Sequence, residues 1–345
     1  MIFSKEKEEE VITRKIQRPK EEFVKRRKKE PPKPWGKKER FLILFILLFT
    51  ILTSIVLALS ARAWKLPGLP RIKFPAISIF QNETIVLEND NKTASQDIID
   101  RSQKVTSDFK KNTNNLSGVY GLLVIDLKSG YSFGLSQGES FTAASLIKLP
   151  VMAAAFRESE KGNLNLATIY TLKDADKIAG SGSLYYKPAG TKLSYRELLM
   201  LMGKQSDNTA FGIMRKVLGD AKINEVIKTI GMNSTSLEDN STSPDDIGTF
   251  FKKLWEGKVT SKDSADEILN NLTETSFENW IVAGIPANVR VAHKYGRELH
   301  VVNDAGIIYA DNPFVLVILT KGVVEKEADG IFSSLAGLVY DGLEK

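Results

Sequence analysis

The chain has 345 residues, of which 42% are hydrophobic and 26% charged, a composition typical of folded proteins. Its net charge of +6 is uneven, because residues 1–40 hold 15 Lys/Arg and 8 Asp/Glu and the remainder holds 33 and 34. The remainder is nearly neutral, so we expect no nucleic-acid partner. The chain has no cysteine and two histidines, which excludes disulfides and a cysteine nucleophile, and we expect no metal or other cofactor.

An uncharged apolar run extends from Phe41 to Ser60, about the length that a helix needs to cross a bilayer. Ten Lys/Arg lie in residues 20–40 and four in residues 62–81, so the positive-inside rule places the N-terminus in the cytoplasm. A cleaved signal peptide is the alternative, although its apolar stretch is usually shorter. The sequence therefore predicts a single-pass protein of the cell membrane whose main domain is extracytoplasmic.

The predicted domains are a basic, disordered cytoplasmic tail (1–40), a transmembrane helix (41–61), a linker (62–94) and a folded domain (95–345). Within that domain, apolar periodicity and turn residues predict the elements. In chain order they are a helix over 94–111, hairpin strands over 119–127 and 131–135, helices over 144–160, 195–202 and 210–217, a helix capped by Ser243, strands over 289–294, 306–309 and 314–319, and a helix over 331–343. Strands from both ends around a helical middle predict an α+β fold with an antiparallel sheet.

Three short motifs carry the candidate chemistry: Ser145-Leu146-Ile147-Lys148, Ser206-Asp207-Asn208 and Lys294-Tyr295-Gly296. The pattern S-x-x-K also occurs at Ser4 and Ser107, so the motif alone does not identify the nucleophile. Only Ser145 begins an apolar helix and precedes the other two motifs.

A serine hydroxyl is a weak nucleophile until a base removes its proton. Lys148, three residues after Ser145 on a helix, can reach the Ser145 oxygen. A lysine acts as a base only if its pKa falls, which burial and a neighbouring cation can cause. We expect Lys294 to be that neighbour, and His293, the next residue on the strand, to be structural.

The three motifs resemble the S-x-x-K, S-D-N and K-T-G set of class A β-lactamases and penicillin-binding serine hydrolases. The resemblance covers about residues 95–345 and implies a five-stranded antiparallel sheet flanked by helices, plus an all-helical lobe. It implies that the backbone N–H groups of Ser145 and Arg297 form an oxyanion hole and that Ser206 passes a proton to the leaving nitrogen. It further implies that Asn208 holds the substrate or Lys148, and that Lys294 and Gly296 line the substrate site.

Two departures from that family affect the expected function. Tyr295 replaces a small hydroxyl residue that binds a substrate carboxylate, and Arg297 is the candidate to compensate. The loop that supplies a deacylating glutamate is short, which leaves Glu238 as the candidate base. We expect a β-lactamase-related serine hydrolase that forms an acyl-enzyme with β-lactam amides. The alternatives are a D-Ala-D-Ala peptidase acting on peptidoglycan-like peptides, an acyl-holding sensor and a non-catalytic cell-wall binding module.

Overall fold

The computed structural model describes residues 36–61 and 95–344. The chain divides into two units, Met1–Ile77 and Ser78–Lys345. The predicted tail up to residue 35 and the predicted linker at 62–94 lie outside the described residues.

The first unit contains one described helix, α1 (Lys37–Ala61). Most of the apolar side chains between Phe41 and Leu52 are exposed, including Phe41 at 74% and Leu42 at 59%. Within residues 36–61 and 95–344, no helix is both long enough and apolar enough to cross a membrane. The transmembrane helix predicted for 41–61 is therefore not supported by the described structure.

The second unit is built on a five-stranded antiparallel sheet with the strand order β2-β1-β9-β8-β7. This arrangement confirms the predicted α+β fold. The five strands are β1 (Val119–Asp126), β2 (Ser132–Leu135), β7 (Val291–Glu298), β8 (Val301–Ile308) and β9 (Phe314–Lys321). Two short two-stranded sheets pair β3 (Phe141–Thr142) with β6 (Ser241–Thr242), and β4 (Ile169–Thr171) with β5 (Lys192–Ser194).

Helices cover both faces of the large sheet. They are α2 (Gln96–Thr113), α3 (Lys148–Glu160), α4 (Tyr195–Lys204), α5 (Asn208–Leu218), α6 (Asp220–Ile230), α7 (Pro244–Trp255), α8 (Lys262–Asn271) and α9 (Glu325–Glu344). Because strand side chains alternate between faces, Leu122 of β1 packs in the core with α2 and α9, whereas Leu123 packs in the core with α3, α5 and α7. The sheet thus separates two apolar cores.

Strand β8 is longer than the sequence predicts. The predicted strand begins at residue 306, whereas β8 begins at Val301. Its early part contains Asn303 and Asp304, both fully buried, and buried polar residues are rare in central strands. The structure shows that both have hydrogen-bond partners, which is the condition for burying them.

The central strand β9 should dominate the stability of this unit. Leu319→Ala removes a fully buried side chain, so we expect the free energy of unfolding to fall by about 2–5 kcal/mol. Leu299→Ala removes a side chain that is 79% exposed and should change it by less than about 0.5 kcal/mol. Urea denaturation of the full chain measures both, and equal effects would contradict the described packing.

Candidate active site

Ser145 lies in a short 3₁₀ turn, Ala144–Ile147, between β3 and α3. The preceding residue, Ala144, has a φ of 50°, a conformation that costs energy for a residue with a side chain. Asn303 of β8 holds this turn: its Nδ2 donates to Thr142 O at 2.8 Å, and its Oδ1 accepts from Thr320 N at 2.8 Å. The nucleophile turn is thereby tied to the centre of the large sheet.

Lys148, the first residue of α3, is 2% exposed. Its Nζ lies 2.9 Å from Ser145 Oγ, 2.6 Å from Ser206 O, 2.8 Å from Asn208 Oδ1 and 3.2 Å from Ser206 Oγ. Two of these four oxygens are carbonyl oxygens and can only accept hydrogen bonds. The predicted contact between Lys148 and Ser145 is thus present.

The four oxygens match a neutral lysine. A neutral amine has two N–H groups, which can donate to Ser206 O and Asn208 Oδ1, and one lone pair. That lone pair can then accept the proton of the Ser145 hydroxyl. Burial lowers the pKa of Lys148 to about 7, although the Asp207 carboxylate acts in the opposite direction. At neutral pH a large fraction of Lys148 is therefore available as a base.

Asp207 fixes the loop that carries Ser206 and Asn208. Its Oδ1 accepts from Ala210 N at 2.9 Å, which caps α5, and its Oδ2 accepts from Leu184 N at 2.8 Å. Ser206 is fully buried and has a φ of 54°, so its backbone is held in an unfavourable conformation. That conformation points the Ser206 carbonyl oxygen at Lys148.

Lys294 of β7 is fully buried. Its Nζ donates to Tyr295 O at 2.8 Å and lies 4.2 Å from the centroid of the Tyr295 ring. Burial, followed by the charge of Lys148, lowers the pKa of Lys294 well below its usual value, while Asp304 raises it. Burial, rather than a neighbouring Lys294 cation, accounts for the lowered pKa of Lys148.

Gly296 brings β7 against the nucleophile. A Cβ atom at this position would lie 2.9 Å from Ser145 N, closer than side chains tolerate. Any larger residue would have to displace the 3₁₀ turn.

The side chains of Tyr295 and Arg297 are engaged within the protein. The Tyr295 ring packs against Phe277, with the ring centroids 5.3 Å apart. The Arg297 guanidinium binds both oxygens of Asp329, at 3.0 Å and 2.7 Å. Arg297 therefore forms a half-exposed ion pair with Asp329, and its contact with a substrate carboxylate stays a prediction.

His293 of β7 forms a buried pair with Asp304 of β8. Its Nδ1 lies 2.8 Å from Asp304 Oδ1, and its Nε2 lies 3.1 Å from Thr275 Oγ1. The side chains of His293 and Asp304 are fully buried. His293 thus bonds within the protein interior, as a structural residue does.

A cavity of about 270 Å³ lies beside Ser145 and Lys148. Its lining also includes Asn208, Phe211, Glu238 and Glu298. Glu238 is exposed at this cavity. A cavity of about 500 Å³ between β1 and α7 is lined by none of the predicted site residues.

Sequence reasoning missed Asn303 and Glu298. Asn303 lies in the sequence Asn303-Asp304-Ala305-Gly306, but its hydrogen bonds to Thr142 and Thr320 join segments that are distant in sequence. Glu298 had a usable signal, because it lies two residues after Gly296 and therefore on the same face of a strand.

A family model for the beta-lactamase enzyme family matches residues 102–343. The chain belongs to this family. Beta-lactamase L2 of Stenotrophomonas maltophilia is 23% identical over 273 residues, which cover 73% of this chain and 90% of the relative. Beta-lactamase SME-1 of Serratia marcescens is 24% identical over 276 residues, covering 71% and 90%.

A solved structure of PBP-A is similar in fold and sequence. It is 26% identical with a TM-score of 0.65, and the match covers 71% of this chain and 96% of PBP-A. A PBP-A mutant solved as an acyl-enzyme complex with penicillin G gives a TM-score of 0.66 at 26% identity, covering 72% and 97%. This chain thus shares the fold of both PBP-A structures over nearly their whole length.

Proposed function

We propose that the 95–345 domain is a serine hydrolase that attacks β-lactam amides and forms an acyl-enzyme at Ser145. Membership of the beta-lactamase enzyme family supports this reaction class. The observation that carries the proposal is the Lys148 amine, which is buried, has a pKa of about 7 and lies 2.9 Å from Ser145 Oγ.

In the acylation step, Ser145 Oγ attacks the carbonyl carbon of the amide while Lys148 takes the hydroxyl proton. A tetrahedral oxyanion forms, and its collapse breaks the C–N bond and leaves an ester on Ser145. The proton moves from Lys148 through the Ser206 hydroxyl, 3.2 Å away, to the departing nitrogen. Acid–base catalysis of this kind requires a group whose pKa lies near the working pH.

The backbone N–H groups of Ser145 and Arg297 are the proposed oxyanion hole. His293 N donates to Leu272 O, outside the pairing of β7 with β8. Backbone N–H groups of a strand alternate in direction, so the N–H of Arg297, four residues on, points to the same outer edge. Gly296 lies against Ser145 N, which brings the two donors towards one another.

The rate at which water releases the acyl group from Ser145 distinguishes a β-lactamase from a D-Ala-D-Ala-type peptidase. Glu238 is the proposed water-activating base, and it is exposed at the cavity. Because the loop that supplies a deacylating glutamate is short in this chain, hydrolysis of the acyl-enzyme should be slow. Slow release, together with the similarity to PBP-A, favours a D-Ala-D-Ala-type peptidase as the second candidate. The contact of Ser145 with Lys148 argues against a non-catalytic binding module.

A fluorescent penicillin tests the nucleophile and its base. We expect one covalent adduct per chain on the peptide that contains Ser145, and none in Ser145→Ala. Lys148→Ala should slow acylation at least about a hundredfold. Lys148→Arg should do the same, because arginine keeps the charge and cannot act as a base.

The matched control is Lys262→Ala, whose side chain is 82% exposed and which should react at the wild-type rate. An adduct that persists in Ser145→Ala, or a Lys148→Arg variant that is acylated at the normal rate, would contradict the assignment.

The acylation rate should depend on pH through Lys148. The base acts in its neutral form, so the second-order rate constant should rise with pH, reach half its maximum near pH 7 and then level off. Stopped-flow measurement with benzylpenicillin from pH 5.5 to 9 gives this profile, and the intrinsic fluorescence of the protein reports unfolding at each pH. A rate that stays constant over this range would rule out Lys148 as the base.

We infer that residues 41–60 anchor the protein in the cell membrane and that the 95–345 domain lies on its outer side. The support is the uncharged run from Phe41 to Ser60, the basic residues before it and the exposed apolar side chains between Phe41 and Leu52. The full chain should sediment with membranes after a carbonate wash, and a chain lacking 41–60 should not. Recovery of the full chain in the wash would refute the anchor.

A further inference from the structure

Two carboxylates from separate elements line the cavity beside Ser145. Glu238 lies in the loop before β6, and Glu298 is the last residue of β7. Both are exposed. Because the same cavity contains Ser145 and Lys148, these carboxylates belong to the binding site of the reaction.

Glu298 is directed to the cavity by the strand and by one hydrogen bond. It shares a strand face with Gly296, the residue that packs against Ser145 N. Asn240 Nδ2 donates to Glu298 Oε1 at 2.8 Å, and Asn240 also lines the cavity. The loop that carries Glu238 is thereby linked to the end of β7.

The cations at the cavity are already engaged. Among the described residues that line it, the cationic side chains are Lys148 and Arg215. The Arg215 guanidinium binds both oxygens of Asp220, at 2.7 Å and 2.8 Å, and Lys148 bonds to Ser145, Ser206 and Asn208. A substrate carboxylate would have to compete with these partners, whereas a substrate ammonium would meet two carboxylates.

We propose that Glu298 and Glu238 select acyl donors that carry a protonated amine close to the scissile carbonyl. This inference rests on the proposed function and specifies its substrate class: β-lactams or peptide amides with a cationic acyl side chain. The carboxylates act by charge attraction at a solvent-exposed mouth, so the preference weakens as salt screens it.

Ampicillin and benzylpenicillin differ by one amino group on the acyl side chain, which is mostly protonated at pH 7. Competition with a fluorescent penicillin gives the acylation rate constant for each, and their ratio is the readout. In Glu298→Gln the ratio of ampicillin to benzylpenicillin should fall about fivefold. In the double variant with Glu238→Gln it should fall further.

Glu225→Gln is the matched control, because Glu225 is an exposed acid on α6 that does not line the cavity. The ratio of the ampicillin to the benzylpenicillin rate constant in this control should equal that of the wild type. A higher salt concentration should lower this ratio in the wild type but should leave it unchanged in the double variant. If both penicillins acylate Ser145 at a ratio that neither glutamate changes, the selectivity proposal is overturned and the proposed function stands. If neither acylates the wild type, the proposed function fails and this inference fails with it.

Discussion

The reactivity of Ser145 depends on the surroundings of the Lys148 nitrogen, which is buried and contacted by protein oxygens. Burial removes water from the amine, and two carbonyl oxygens, from Ser206 and from the Asn208 side chain, take its N–H groups. The remaining position faces the Ser145 hydroxyl. An ammonium would have three donors and no lone pair for the serine proton. The low dielectric therefore favours the neutral form, which is the form that can accept a proton.

The rest of the fold holds three chain segments around that nitrogen. The 3₁₀ turn supplies Ser145, helix α3 begins with Lys148, and the turn is tied to the sheet by Asn303. The loop before α5 supplies Ser206, helix α5 begins with Asn208, and Asp207 between them fixes both. Strand β7 supplies the second lysine and approaches closely because it has a glycine at 296. Unfavourable backbone conformations at Ala144 and Ser206 are maintained by these contacts, as is common at functional sites.

Much of this could be predicted from short-range patterns. Helical spacing placed Lys148 next to Ser145, the Ser243 cap marked the start of α7, and the terminal strands gave the antiparallel sheet. Helix α6 was not predicted, although Ile223, Val226, Ile227 and Ile230 have helical spacing. The contacts of Asn303 and Arg297 could not be predicted, because they depend on strand pairing and on α9, which are distant in sequence.

The most direct test of this account is the pKa of Lys148 in the folded protein. Lysine labelled with ¹³C at Cε can be titrated by NMR, and Lys148→Arg identifies the signal. The account predicts a midpoint near pH 7, below the ordinary value of 10.5. A signal that titrates near 10.5 would mean that Lys148 is a cation at neutral pH, and it would contradict its role as the base for Ser145.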